Sequence, residues 1–358
     1  MRRRLVDRVP SAFACALLVA GCVSIEPPAD EVPPLDCPTG FHDDPAGSHL
    51  CLEDDPPPLR PVEGDFVIAS VADAADLCAA GDAVVGNVTV RGEIEHLDEL
   101  SCLRQVAGTL RIDAIDLLRS VVLPDLTWVG GDLSIQLDTN LQQINLPLLE
   151  EVGGGLAVQF NPLLAAVALP RLAFAGGFVS FYDNFRLNEV DLPELTEVGV
   201  EAAPNRILYV RLNERLDRIS LPKLTWVAGV LKVSSNRGLT SLEVPALEAT
   251  GRGVYVSYNE DLEAITLPIR SVGGFLYFDH TRATSIHLPN LEAVADNFEV
   301  LSNPELTDLQ APLLSSVGAG LVITDNPQLP QSAVDAFIDA IGEENIGGPI
   351  RTENNGPD

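Results

Sequence analysis

The run LSIQLDTNLQQINLPLLEEVGG, from Leu133 to Gly154, is respelled along most of the chain. It reads Leu133-x-Ile135, then Asp138, Leu141, Ile144, Leu146-Pro147, Leu149, Val152 and Gly153-Gly154. The next copy reads Leu156-x-Val158, then Asn161, Leu164, Val167, Leu169-Pro170, Leu172 and Gly176-Gly177. Pro124, Pro147, Pro170, Pro193, Pro222, Pro245, Pro268, Pro289 and Pro312 stand 23, 23, 23, 29, 23, 23, 21 and 23 residues apart. A period in this range marks a solenoid, in which a unit too small to bury its own apolar face buries it by stacking on its neighbours. A second column fixes the register: Asp138, Asn161, Asn184, Asn213, Asn236, Asn259, Thr281, Asn303 and Asn326 each follow a strand-opening apolar residue by five positions.

Each residue type has a physical role in such a coil. The apolar-x-apolar runs (Leu110/Ile112, Leu133/Ile135, Leu231/Val233, Val254/Val256, Leu321/Ile323) are short strands whose two apolar side chains point to one side. Stacked, they make a parallel sheet. Asn after each run takes a turn conformation and satisfies backbone groups at a buried bend. The Gly pair permits positive φ or close backbone approach, and Pro fixes φ in the longer connection. The expected fold is mainly β, a β-helix or leucine-rich-type solenoid of about 23-residue turns.

The N-terminus carries other instructions. Arg2, Arg3, Arg4 and Arg8 precede an apolar run from Ala12 to Ala20 that ends Leu18-Val19-Ala20-Gly21-Cys22. The run is about half the ~20 residues that span a bilayer and has the layout of an export signal. Its last residues resemble a bacterial lipobox, which implies cleavage after residue 21, lipidation of Cys22 and membrane anchoring through the acyl chains. The expected address is the cell envelope, at the outer membrane or cell surface. Without Arg2, Arg3, Arg4, Arg8 and Asp7, the chain keeps 18 basic against 51 acidic residues, a balance of −33. That charge argues against nucleic acid as a partner.

Residues 22–65 are rich in Pro, Asp and Glu and read as an extended tether. Of six cysteines, Cys15 lies in the signal and Cys22 takes lipid. Cys37, Cys51, Cys78 and Cys102 remain, and sequence proximity favours Cys37–Cys51 and Cys78–Cys102 among three pairings. With no CxxC pair, no metal site or cofactor is expected. Ser70 caps a helix through Ala79, with Asp73 in a capping-box position. Ser332 opens a second helix carrying Ala333, Val334, Phe337, Ala340 and Ile341 on one face. These helices close the ends of a coil spanning 66–341, and the Gly-rich stretch 342–358 is expected as a mobile tail.

Cys78, then Val84-Val85-Gly86-Asn87-Val88-Thr89-Val90, then Leu97, Leu100 and Leu103, then Val106-x-Gly108-x-Leu110-x-Ile112 together resemble the receptor L domain family. The resemblance covers about residues 66 to 341. It implies a right-handed β-helical coil related to leucine-rich repeats, of the kind that forms ligand-binding lobes in insulin-type and epidermal-growth-factor-type receptors. This chain departs in running roughly ten turns without a Cys-rich module. It also places Leu three residues after the Asn (Asn161/Leu164, Asn236/Leu239), where leucine-rich repeats place it two after. Extra residues at 200–207 account for the single 29-residue step and are expected as a loop.

No HExxH, Gly-x-Ser-x-Gly or phosphate loop is present, and His42, His49, His96, His280 and His287 are scattered. Asp279, His280 and Arg282 are the nearest approach to the carboxylate and base of a β-helical carbohydrate-active enzyme. The strand face offers more. Middle positions of consecutive strands hold Tyr209, Lys232, Tyr255 and Tyr277, and the following position holds Tyr182 and Arg211; all point outward. Tyr258 is expected half-buried beside them, and Trp128 and Trp226 are expected to pack at a bend. An aromatic and basic patch on an acidic protein reads as a non-enzymatic binding face for a protein or glycan. The competing readings are a structural or adhesive envelope lipoprotein with no single site, for which Tyr merely suits an exposed strand, and the enzyme.

Overall fold

The computed structural model describes residues 57–200 and 206–358, together with the backbone of Phe41–Asp43 and Cys51–Glu53. The expectations for the signal, Cys22, Cys37 and most of the inserted stretch at 200–207 lie outside these residues. Phe41–Asp43 and Cys51–Glu53 pair antiparallel in a small unit of their own. Leu59–Asp358 forms the second unit, a parallel β-solenoid of about 11 turns.

Three stacks of parallel strands run along it. The longest has 13 strands, from Phe66–Ile68 through Leu133–Gln136 and Gly253–Ser257 to Ile350–Arg351. A second has 12 two- or three-residue strands, from Pro61–Glu63 to Ser316–Val317. The third side is broken into three sheets of three strands, the first being Ser120–Val122, Gln143–Asn145 and Ala166–Ala168. Register follows the repeat: Leu133, Ser134, Ile135 and Gln136 face Leu156, Ala157, Val158 and Gln159. Leu133, Ile135, Leu141, Ile144, Leu146, Leu149 and Val152 are all buried in one continuous core.

Three bends close each turn, and each explains one column of the sequence. The Asn opens a β-turn whose fourth residue is the Leu three positions on: Leu164 N donates to Asn161 O at 3.1 Å, and Leu239 N to Asn236 O at 3.1 Å. That closure returns the Leu side chain to the core, which accounts for the three-residue spacing. Leu-Pro-x-Leu is a second β-turn with Pro at its second position; Leu149 N donates to Leu146 O at 3.3 Å. Gly153 makes the third by close approach, since a Cβ there would run into the Gly130 carbonyl oxygen.

In this glycine column only Gly199 has positive φ, at 83°; the regular positive-φ position falls elsewhere. It belongs to the residue before the Asn, and none of these residues is glycine: Leu137, Phe160, Leu212, Tyr258, His280 and their equivalents have φ between 49° and 64°. Each costs roughly 1–2 kcal/mol. The cost is tolerated because the neighbouring turns fix the backbone on both sides, as where Leu137 N donates to Gln159 O at 3.1 Å.

Inside this bend runs an amide ladder. Asn184 N donates to Asn213 Oδ1, Asn213 N to Asn236 Oδ1 and Asn236 N to Asn259 Oδ1, each at 3.1 Å. Each side-chain NH2 donates back to a strand carbonyl, such as Asn213 Nδ2 to Phe181 O at 3.0 Å and Asn236 Nδ2 to Val210 O at 3.0 Å. The ladder members are 0 % exposed apart from Thr281 at 1 %. Thr281 keeps its place by donating both N and Oγ1 to Asn303 Oδ1.

The ends differ in part from expectation. Helix α1 (Val71–Ala80) is capped by Ser70, which accepts from Asp73 N. Cys78 is bonded to Cys102. Helix α2 (Gln331–Ile341) buries Val334, Phe337, Ile338 and Ile341 over the last turns, with Phe337 edge-on to Phe298. Ser332 is not its cap; Ser332 N donates to Asp358 Oδ1, from the end of the chain. Residues 342–358 are not a mobile tail. They add a further turn: Ile346 is buried, Ile350 and Arg351 pair with Leu321 and Val322, and Asn355 extends the ladder by accepting from Asn326 Nδ2. At the other end Pro61–Glu63, expected in the tether, pairs with Ala83–Val85. An unpaired sheet edge gains a partner in both cases.

Candidate functional site

Alternation along the longest sheet sends Leu208 and Val210, Leu231 and Val233, Val254 and Val256, and Leu276 and Phe278 into the core. Their alternates face out. Register sets Tyr209 against Lys232, Lys232 against Tyr255 and Tyr255 against Tyr277, while Tyr182 lies against Arg211. All six expected site residues are thus brought together on one face.

Their contacts are continuous. Tyr182 and Tyr209 stack with centroids 5.7 Å apart, and Phe160 meets Tyr182 edge-on at 5.0 Å. Arg211 Nη1 donates to Tyr209 Oη at 3.1 Å. Lys232 Nζ sits 4.5 Å from the Tyr255 ring centroid and 5.7 Å from that of Tyr209, so one ammonium bridges two π faces. Tyr255 and Tyr277 stack at 4.6 Å with planes 6° apart. Because the rings cover one another, they offer hydroxyls and edges outward, and a sugar ring has little free aromatic face to stack on.

Arg218, Lys223, Arg237, Arg270 and Arg282 each pair with a glutamate. Among the described residues Arg211 and Lys232 pair with no carboxylate; Arg119, Arg171 and Arg215 do not either, but only Arg211 and Lys232 stand on the tyrosine ladder. Burial, and then the Arg211 charge, lower the Lys232 pKa. Burial, with the neighbouring Asp279 charge, keeps the Tyr277 hydroxyl protonated well above the usual range.

Other candidates are placed differently. Tyr258 is not half-buried but 46 % exposed, at one of the positive-φ positions, with its ring stacked on His280 at 4.6 Å. Trp128 and Trp226 occupy outward positions of the second sheet, opposite Glu151 and Glu197 respectively, and the Trp128 ring lies against Gly130 at the bend that follows, as expected. Asp279 is buried and paired with His280 Nδ1, while Arg282 turns to Glu305 at 2.9 Å and Asp261 at 4.0 Å. Asp279 and His280 thus form a pair and His280 and Arg282 line one cavity, but the Arg282 guanidinium is held by Glu305 and Asp261 rather than by Asp279. Among the described residues no three His, Cys, Asp or Glu side chains converge as metal ligands.

Ser234 and Ser257 were not singled out by sequence. They continue the outward column of Arg211, yet are only 3 % and 0 % exposed, and neither hydroxyl has a protein partner. A serine on an outward strand position gives no signal of burial; the long side chains of its neighbours cover it.

Fold and face together define a parallel β-solenoid carrying an outward aromatic and basic ladder. No family model matches the chain, and neither the curated proteins nor the solved structures gave a match.

Proposed function

We propose that the chain is a receptor-L-like, lipid-anchored protein of the bacterial cell envelope whose solenoid acts as a non-enzymatic binding module for a protein or glycan. The observation that carries this reading is the continuous ladder of Tyr182, Tyr209, Lys232, Tyr255 and Tyr277 with Arg211, whose two cations meet tyrosines and, among the described residues, no carboxylate, on a chain of formal charge −30. Tyr and Arg on a rigid sheet lose little conformational entropy on contact and are the residue types that dominate binding surfaces. The lipobox-like segment ending in Cys22 supports the anchor and the export. Arg282 turns to Glu305 and Asp261 instead of joining the Asp279–His280 pair, which weighs against the enzyme reading.

The mutual stacking of Tyr255 and Tyr277 favours a second reading, in which the stripe only stiffens a structural or adhesive envelope lipoprotein. A screen of the purified protein against glycans and envelope proteins separates the two, with Tyr209→Ala/Tyr255→Ala/Tyr277→Ala beside wild type. Loss of a hit by tenfold or more in a variant that keeps its far-ultraviolet spectrum is the expected result. A hit that survives unchanged, or a screen without hits, puts the structural reading in its place.

A further inference from the structure

Between the two halves of the ladder the face is hollowed. Arg211, Lys232, Ser234, Tyr255, Ser257 and Tyr258 line a cavity of about 380 Å³. Two strand-to-strand steps carry the column from Arg211 to Ser234 to Ser257, so a guanidinium and two hydroxyls follow one another at the ~4.8 Å strand spacing. Both hydroxyls are buried and without a protein partner, and so is Arg211 Nε. Leaving buried polar groups unsatisfied costs roughly 1–3 kcal/mol each. Lys232 stands beside the same column with its ammonium against Tyr255 and Tyr209 only. The next residue of the column, Asp279, carries a carboxylate already held by His280, and it bounds the anion-accepting stretch at that end.

From this constellation we infer that the cavity binds the oxyanion of an acidic glycan, a carboxylate or sulfate ester on a sugar. The anionic group lies between Arg211 and Lys232, and the adjacent sugar hydroxyls, by displacing the side chains that cover them, satisfy Ser234 and Ser257. The inference rests on the binding-module reading and names its ligand class. Two cations without carboxylates call for an anion, since an oxyanion accepts from both. The two serine hydroxyls extend the polar column beyond the cations, and an acidic sugar carries hydroxyls next to its charge that match such neutral positions, whereas an isolated acidic side chain ends at its carboxylate. The cavity has room for about one sugar residue.

Titration calorimetry on the purified protein tests this with four probes: an oligouronide, its methyl ester, a sulfated oligosaccharide and its desulfated counterpart. Binding of one acidic probe at least tenfold tighter than its neutral counterpart is expected, and which acidic probe binds identifies the anion. Lys232→Gln weakens that binding tenfold or more. Ser234→Ala/Ser257→Ala does the same while leaving the melting temperature unchanged or higher, because it removes hydroxyls that have no protein partner. Equal binding of the acidic and neutral probes overturns the inference, as does acidic-probe binding that the serine variant leaves intact. A neutral or protein ligand that is lost in the triple tyrosine variant but indifferent to Lys232→Gln overturns it as well, while leaving the binding-module reading standing. A ligand indifferent to both sets of variants removes both.

Discussion

Asp138→Asn is expected to stabilise the protein at pH 8 and to flatten the acid side of its pH–stability curve. Asp138 fills a place that Asn holds in most turns. It is 0 % exposed, its Oδ1 accepts from Ile115 N at 2.7 Å, and its Oδ2 has no partner. In the other turns the corresponding atom is an NH2 that donates to a strand carbonyl and to the next Asn Oδ1, as Asn161 Nδ2 does to Ile135 O and Asn184 Oδ1. An ionised carboxylate therefore puts an acceptor where the ladder supplies acceptors. Burial, with the charges of Asp113 and Asp116 adding to it, raises the Asp138 pKa to about 7. The folded state thus holds a proton that the unfolded chain releases near its ordinary value of about 4. The stability this contributes is fully present below about pH 4 and is lost as pH rises through about 7. At pH 8 the loss is on the order of 4 kcal/mol at most. Melting temperatures of wild type and Asp138→Asn from pH 4 to 8 should diverge as pH rises, with the variant higher. A constant difference across that range would show that Asp138 is not held protonated in the fold.

The second large effect is the reverse substitution of chemistry. Asn236→Ala should destabilise by roughly 3–6 kcal/mol. Asn236 Oδ1 accepts from Asn213 N at 3.1 Å and from Asn213 Nδ2 at 3.2 Å; its own Nδ2 donates to Val210 O at 3.0 Å and to Asn259 Oδ1 at 3.3 Å. Alanine leaves buried donors and acceptors on two neighbouring turns without partners, in a place too enclosed to hydrate. The loss is read as a lower urea midpoint and as faster exchange at the Asn213 amide, which depends directly on Asn236. Thr281 shows what the ladder tolerates: its hydroxyl still reaches Asn303 Oδ1 at 2.8 Å. A loss below about 1 kcal/mol would mean that the amide column is a by-product of stacking rather than a determinant of it.

Much of this architecture is legible because a solenoid repeats its instructions. One turn gives the apolar positions, and nine prolines give the period. The outward face follows from strand alternation, which is why Tyr182, Tyr209, Arg211, Lys232, Tyr255 and Tyr277 fall together as expected. The last turn carries the same signal but reads as a tail. Ile350 precedes Asn355 by the same five positions as Leu133 precedes Asp138, but a Gly-rich composition hides the pattern. The positive-φ column was not legible, because Leu137, Phe160 and Tyr258 are residues that avoid that conformation when alone and adopt it only when neighbouring turns impose it. Nor were the covered serines Ser234 and Ser257, because a serine on an outward strand position carries no signal of burial in its own identity.

The binding role of this face is tested most directly by hydroxyl-radical footprinting of the protein with and without a ligand recovered from the screen. Tyr182, Tyr209, Tyr255 and Tyr277 report on the ladder, and the half-exposed Trp128 and Trp226 on the second sheet serve as internal controls. Slower oxidation of the tyrosines with unchanged tryptophans is the result this account predicts. Protection of Trp128 and Trp226 with the tyrosines unchanged would place the partner on the second sheet and contradict it.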